Sequence, residues 1–390
     1  LAVLTDSEGN AMEKAIVKKK LRGGYSTGAC AAAAAKAALL ALVSGGRAAG
    51  DSYIVKINLP DMSCVEFAAT CLFCKDGVAA CSVTKDGGDD PDATHGIEIV
   101  AQVEMVPGAK QEIEIAGGQG VGHVTRPGLQ IPIGEPAINP VPRQMIREAL
   151  VGLLTAENGC RVTISVPRGE EVALRTMNPR LGIVGGISIL GTRGRVRPMS
   201  VRSLTDSLLV QLDVARGEGY DTVVCVPGGI GEKAMLALGF AKNRIVEMSN
   251  FIGIMLDGAS ERGLTRVLLA GHHSKLVKVA GGIFQTHSRI ADGRREIYAA
   301  HAALAGGSQQ LVARLMEAST AEECYTILQE NGLSQEVLAS IADAAARYAC
   351  QRGEGLVVET LLLDYAGSVL GVSKGIIDAG GITAWREKYM

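Results

Sequence analysis

With 390 residues the chain exceeds what one hydrophobic core usually supports, so two or three domains are expected. Its 39 Lys and Arg nearly cancel 41 Asp and Glu, which excludes the global basic field that holds nucleic acid or an anionic membrane and leaves any anionic partner to a local basic patch. No apolar run reaches the roughly 18 residues of a spanning helix, and nine irregularly spaced cysteines without a secretory leader pattern predict a soluble cytoplasmic protein with mostly free thiols.

The first strong element is a helix. In STGACAAAAAKAALLALVSGG, Ser26 or Thr27 can cap a helix that successive alanines favour and Gly45 ends. Short β-rich segments follow, among them YIVKINL, CVEFAATCLF, VAACSVT, IEIVAQVEMV, QEIEIA and CRVTISVP, punctuated by Gly, Pro and Asp turns. A second helix is predicted from Asn139 through RQMIREALVGLL, with Pro140 and Pro142 in its first turn. Residues 1–200 therefore read as an α+β domain, a sheet with packed helices. From residue 201 the rhythm changes: SLTDSLLVQLDVARGEG, TVVCV, PGGIGEKAMLALG, RIVEMS, NFIGIMLDGASERG and RVLLAG alternate helix with strand. Residues 201–390 read as an α/β, mainly parallel, Rossmann-like domain with a helical stretch from Ala299 to Gln351.

Glycine is the outlier, at 49 residues, and it clusters where turns or close backbone approach to a ligand are needed. KDGGDDPDATHG, residues 85–96, places Asp86, Asp89, Asp90, Asp92 and His95 in one loop. These residues suit a general base, a metal or an ammonium group, and equally a strand-ending turn with Asx bonds. Residues 117–143 form a Gly- and Pro-rich stretch too irregular for either regular element, and loops of that length are uncommon unless functional. Residues 175–202 gather Arg175, Arg180, Arg193, Arg195, Arg197 and Arg202 around a glycine-rich bend. Guanidinium forks of this kind bind carboxylates bidentately, although scattered surface arginines would look the same.

Three further patterns bear on cofactors. Pro227–Gly231 (PGGIG) follows an apolar strand and opens a helix, with Glu247 closing the next strand. That arrangement fits a nucleoside cofactor on a helix N-terminus and an acid on its ribose, or a plain strand-to-helix turn beside a solvated acid. Cys64, Cys71, Cys74 and Cys81 lie close in sequence, but positions three apart on a strand face opposite sides, so buried free thiols are expected rather than a metal site. His272, His273 and His287, near Asp292, hold half of the six histidines. Without an i, i+4 pair or an HExxH spacing, and with adjacent histidines unable to share one helix face, no protein-bound metal is expected.

Taken together, LRGGYSTGACAAAAAKAA, KDGGDDPDATHG, GVGHVTRPGLQIPIGEPAINPVPRQMI, NPRLGIVGGISILGTRGRVRPMS, PGGIGE and GGIFQTHSRIADGRRE, in order over residues 21–296, resemble the CbiD family of cobalt-precorrin-5B C(1)-methyltransferases of anaerobic cobalamin biosynthesis. The chain departs from the family pattern at GHHSK, where a glycine-containing turn is usual. It also has Tyr25 and Ser26 where a threonine pair is common.

The resemblance implies methyl transfer from S-adenosylmethionine to ring carbon 1 of a corrinoid whose cobalt belongs to the substrate and whose edge carries many carboxylates. It places Gly228, Gly229, Gly231, Glu247, Gly271 and His272 at the cofactor. Arg126, Arg175, Arg180, Arg193, Arg195 and Thr286 would face the corrinoid. Asp89, Asp92, His95, His287 and Asp292 become candidates for polar contacts at the reacting atoms or for proton removal. The competing readings are a nucleotide-cofactor oxidoreductase built on the PGGIG turn, a metal hydrolase built on the histidines, and a noncatalytic corrinoid-binding protein. If the chain self-associates, a homodimer is expected from the frequency of twofold assemblies.

Overall fold

The computed structural model describes residues 21–390. The alanine run forms α1 (Thr27–Val43), capped by Ser26, whose Oγ accepts the Ala29 amide at 3.1 Å. Ala29 and Ala31–Ala35 are wholly buried; methyl-sized side chains let the helix lie close against a sheet. That sheet contains β1 (Ser52–Asn58), β2 (Cys64–Lys75), β3 (Val78–Thr84), β4 (Glu98–Pro107), β5 (Ile113–Gly117) and β6 (Asn158–Ser165), in the order β1-β2-β3-β4-β6-β5. Only the β5–β6 pair is parallel. The predicted second helix lies between β5 and β6 in the chain, as α2 (Pro140–Val151) starting after Asn139, and packs beside α1. Residues 117–143 are held in place by short ladders: Gly120–Val121 pairs with Gly186–Ile187, and His123–Val124 with Ile183–Val184.

The arginine-rich stretch contains one short helix, α3 (Asn178–Leu181). Beyond it come α4 (Val201–Gly217), β7 (Thr222–Val226), α5 (Gly229–Ala237), β8 (Ile245–Glu247), α6 (Ile252–Glu261), β9 (Arg266–His272) and α7 (His273–Val279). The helical stretch resolves into α8 (Arg294–Leu304), α9 (Gln309–Glu317), α10 (Ala321–Glu330) and α11 (Ser334–Arg352). Two strands that the sequence reading did not assign, β10 (Val357–Leu363) and β11 (Val369–Val372), complete a five-stranded sheet of order β8-β7-β9-β10-β11, parallel except for β11. The chain is thus a mixed α/β structure with several sheets.

The buried cluster around α1 draws on residues 29–189, and the clusters around the second sheet on residues 208–385. After β11 the chain forms two short helices, α12 (Lys374–Asp378) and α13 (Ile382–Tyr389), and buries Trp385 against Phe240. Among the described residues, no helix is long and apolar enough to cross a membrane.

Candidate active site

Three segments far apart in sequence meet at the N-terminus of α1. Gly24–Tyr25 pairs with Arg195–Val196, and the Tyr25 amide donates to the Asp86 carbonyl at 2.8 Å. The Asp89 amide donates to the Arg22 carbonyl at 2.9 Å, and Asp89 Oδ2 accepts the Arg22 amide at 2.7 Å. The Ser26 amide reaches the Gly194 carbonyl at 2.9 Å, and Thr27 Oγ1 accepts the Leu190 amide at 2.9 Å. Asp90 Oδ1 accepts the Met199 amide at 2.8 Å. Together these segments enclose a cavity of about 720 Å³ lined by Ser26, Asp90, Asp92, Leu190, Arg195, Arg197 and, on α4 and its cap, Ser200, Ser203, Leu204 and Ser207. That volume is within the usual ~300–1,000 Å³ of small-molecule sites.

The charge state of this cavity is fixed by its neighbours. Burial works against ionisation of Asp92, but the Lys85 ammonium at 2.6 Å and the Thr94 amide and hydroxyl at 2.7 and 2.6 Å outweigh it, holding the carboxyl below the usual range. Lys85 is itself 1% exposed. Asp86, hydrogen-bonded to Arg22, is held down at about 2. Burial pushes the Cys30 thiol up to about 12, so this cysteine is no nucleophile at neutral pH.

The second constellation lies at the carboxyl ends of the parallel strands. From β7 the chain passes to β8 on one side, then crosses to β9 on the other, so the order reverses between β7 and β9. In open α/β sheets ligands bind in the crevice at such a reversal. Here β7 leads into Pro227–Gly231 and β9 ends at Gly271 and His272. A Cβ on Gly228 or Gly229 would meet nothing within 4 Å, whereas one on Gly231 would come 2.8 Å from the Ala270 carbonyl and one on Gly271 2.6 Å from Pro227 Cδ. The first two glycines leave room for a ligand; the other two serve packing.

Glu247 closes β8. Its backbone is bonded to Gln211 of α4, and its carboxylate lies 3.4 Å from Arg180. Lys275, its ammonium made less basic by burial, adds positive charge facing Glu247. Ser200, Ser203, Leu204, Ser207 and Gln211 follow the i, i+3, i+4, i+7 pattern of one helix face. The last cavity residue on α4 and the glutamine that holds Glu247 are therefore one turn, about 6 Å, apart along the axis.

The expected site residues divide. Arg126 directs Nε and Nη2 to Glu218 at 2.6 and 2.8 Å and Nη1 to the Arg180 carbonyl at 2.7 Å. Arg180 pairs with Glu232 at 2.5 Å as well as Glu247. Their forks, read from sequence as grips for substrate carboxylates, are engaged by carboxylates from the second half of the chain and tie the two halves together. Arg175 and Arg193 are exposed and lie outside the cavity lining. Arg195 lines the cavity, as does Arg197, a member of the same arginine cluster that was not among the residues expected to face the corrinoid. Asp92 lines it too, while Asp89 and His95 fold the loop, His95 Nδ1 accepting the Gly87 amide at 3.0 Å.

The THSRIAD segment wraps a buried lysine. Lys278 Nζ donates to the Thr286 and Ala291 carbonyls at 3.2 and 2.9 Å. Thr286 is buried and donates to Asn250 Oδ1 at 3.3 Å, beside the end of β8. Asp292 is held at about 2, first by its hydrogen bond from Arg294, and so stays ionised. His287 is exposed, its Nδ1 accepting the Arg289 amide at 3.1 Å. His272 and His273 correct the expectation that adjacent histidines stay apart. His272 ends a strand and His273 opens a helix, and the turn between them brings the ring centroids within 4.5 Å. Burial lowers both imidazoles, His273 to about 4. Glu322, at the start of α10, meets both rings. Nothing near the histidines in sequence points to it. Of the four clustered cysteines, Cys71 and Cys81 are the buried free thiols expected, whereas Cys74 is half-buried and Cys64 exposed.

Comparison with known proteins places the chain in a family. The CbiD family profile matches residues 14–198 and the CbiD C-terminal domain profile residues 285–374. A cobalt-precorrin-5B C(1)-methyltransferase of Alkaliphilus metalliredigens is 44% identical over 363 residues, 92% of this chain and 94% of that protein. Proteins of the same name from Moorella thermoacetica (44% identical, 90% of this chain and 95% of theirs) and Methanocaldococcus jannaschii (43% identical, 91% and 97%) match almost as fully. Among solved structures, the cobalamin biosynthesis protein cbiD of Archaeoglobus fulgidus is 28% identical, covering 69% of this chain and 83% of its own, with a TM-score of 0.36.

Proposed function

The chain belongs to the CbiD family, and from that premise we propose that it is a cobalt-precorrin-5B C(1)-methyltransferase, transferring methyl from S-adenosylmethionine to ring carbon 1 to give cobalt-precorrin-6A. The observation that carries the site assignment is the shared face of α4, from Ser200 and Ser207 in the cavity to Gln211 at Glu247. One ligand in the cavity and one at the carboxyl edge would meet along that face. In this reading residues 1–200 and 201–390 act as two domains, the first presenting the corrinoid and the second the methyl donor, in the cytoplasm and without nucleic acid or membrane.

The corrinoid edge enters the 720 Å³ cavity, its carboxylates on Arg195 and Arg197. Asp90 and Asp92 are already bonded to the Met199 amide and to Lys85, and Asp206 lies 3.8 Å from Arg202, so Arg197, with no ion pair among the described residues, and Arg195, 3.9 Å from Asp61, keep guanidinium charge for those anions. The donor lies over Gly228 and Gly229, with Glu247 accepting from its ribose and Lys275 near its carboxylate. The ring carbon contributes an electron pair to the new C–CH3 bond as the S–CH3 bond breaks, releasing S-adenosylhomocysteine and neutralising the sulfonium. The protein's part is to hold donor and acceptor in line and exclude water. Asp92 and Asp292, both held low, serve as fixed anions, and no covalent enzyme intermediate is required.

The test is an anaerobic turnover of purified protein with cobalt-precorrin-5B and methyl-labelled S-adenosylmethionine. Labelled cobalt-precorrin-6A with stoichiometric S-adenosylhomocysteine is expected. A corrinoid carrier would bind the tetrapyrrole without releasing S-adenosylhomocysteine, and an oxidoreductase would be protected thermally by NADH and not by S-adenosylhomocysteine.

A further inference from the structure

Beside the donor crevice, three buried polar atoms converge at the end of β9. His272 Nε2 and His273 Nε2 lie 3.1 and 2.8 Å from Glu322 Oε1. All three atoms are inaccessible to solvent, and none has a hydrogen-bond partner. The distances would suit hydrogen bonds; the directions do not. Two imidazoles, 7% and 0% exposed, are thus aimed at one carboxylate oxygen without satisfying it, an arrangement that burial ordinarily penalises.

A cation removes that penalty. We propose that His272, His273 and Glu322 hold a first-row divalent cation of the zinc class, separate from the substrate's cobalt, that fastens α10 to the turn between β9 and α7. The donor set fits: two imidazole nitrogens and a carboxylate oxygen are borderline ligands that zinc accepts. The geometry also fits. Ligand atoms each ~2.0–2.1 Å from a tetrahedral ion stand about 3.3 Å apart, close to the spacings here, and the three atoms all lie within 4.8 Å of one another. Metal-bound imidazoles carry their other nitrogen on a fixed partner. His273 Nδ1 lies 2.5 Å from the Tyr298 hydroxyl and His272 Nδ1 2.7 Å from Ser274 Oγ. Ligation through Nε2 selects the His272 tautomer whose Nδ1–H donates to Ser274 Oγ, over the one that accepts the Ser274 amide at 3.3 Å.

The experiment uses the full chain without corrinoid. Metal analysis after purification without chelators is expected to give about one zinc per chain, and Zn2+ should raise the Tm of chelator-treated protein. Co2+ in its place should show visible d–d absorption of a low-coordinate site. Glu322→Gln and His273→Gln should each weaken Zn2+ binding by more than the ~10–100-fold that altering a ligand's hydrogen-bond partner costs. Tyr298→Phe, which keeps all three ligands, should fall within that range, and exposed His123→Gln should bind like wild type. Zinc content or affinity unchanged in Glu322→Gln, or no Zn2+-dependent Tm shift in the wild-type chain, overturns the proposal. Should the ligand variants not fold, the wild-type Tm shift and cobalt spectrum decide it alone.

Discussion

Gln211 bonds both sides of the Glu247 backbone: its Nε2 donates to the Glu247 carbonyl at 3.0 Å and its Oε1 accepts the Glu247 amide at 2.9 Å. A buried side chain of α4 thereby supplies an edge strand with the pairing a neighbouring strand would give, and fixes the helix that lines the cavity to the crevice where the sheet order reverses. Gln211→Leu leaves both backbone groups without partners, which costs about 1–3 kcal/mol. A lower urea midpoint is expected together with a raised KM for S-adenosylmethionine. An unchanged donor KM in a destabilised variant would remove Glu247 from the donor site.

The arginines separate into two roles that steady-state kinetics and unfolding can tell apart. Arg126 and Glu218 are 19% and 15% exposed at their side chains and bridge the two halves of the chain. Arg126→Ala leaves Glu218 partly buried and short of its main partner, a loss of up to about 3 kcal/mol, with corrinoid KM unaltered. Arg197→Ala should behave oppositely. The loss of a charge-assisted contact worth about 1.5–3 kcal/mol raises corrinoid KM by about 10- to 100-fold, while the urea midpoint stays put. If Arg126→Ala gives the larger KM effect, the corrinoid lies at the junction of the two halves and not in the cavity.

How far the sequence reached depends on whether a signal is local. The Ser26 cap, the alanine helix, the start at Asn139 and the alternation of the second sheet all rest on neighbouring residues and could be read directly. The engagement of Arg126 and Arg180 could not, because Glu218, Glu232 and Glu247 are distant in sequence and lie on other elements. The histidine pair failed for a different reason. Adjacent residues diverge on any single helix or strand, and only a boundary between the two, at His272–His273, brings them together. Strand β10 was missed although Gly353, Gly355, Asp364 and Gly367 bracket VVETLLL, because a short, nearly continuous apolar run does not by itself separate strand from helix, and pairing with β9 defines it.

Gly191 tests the cavity wall directly. Its φ of 136° disfavours any side chain, and a Cβ there would overlap Ser26 Oγ, the atom that caps α1. Gly191→Ala must shift either the cap or the loop that carries Arg195 and Arg197. A cap lost outright costs about 1 kcal/mol, too little to unfold the chain. The expected result is a folded protein with a modestly lower Tm and a corrinoid KM raised several-fold, read by thermal melts and initial rates. A variant with wild-type corrinoid KM would show that the loop position does not matter to binding.

Acid stability follows from the loop at residues 85–96. Asp86 is held at about 2 by Arg22 and Asp92 below its usual range by Lys85. For such groups the stabilisation is complete above the unfolded pKa near 3.9 and is lost as pH falls toward 2, because the unfolded chain takes up protons first. Asp86 is 41% exposed at its side chain, so solvent screening reduces its share, and Asp92 should contribute more. Lys85→Met separates them. With the ammonium gone, only the Thr94 amide and hydroxyl oppose burial, so the folded pKa of Asp92 rises toward the unfolded value and the stabilisation it contributes above pH 4 shrinks. Urea midpoints at pH 7, 5, 4 and 3 should therefore decline below pH 4 in the wild type. The variant, less stable than wild type at pH 7, should decline less steeply than it below pH 4. Parallel curves for the two proteins would show that Lys85 does not set the ionisation of Asp92.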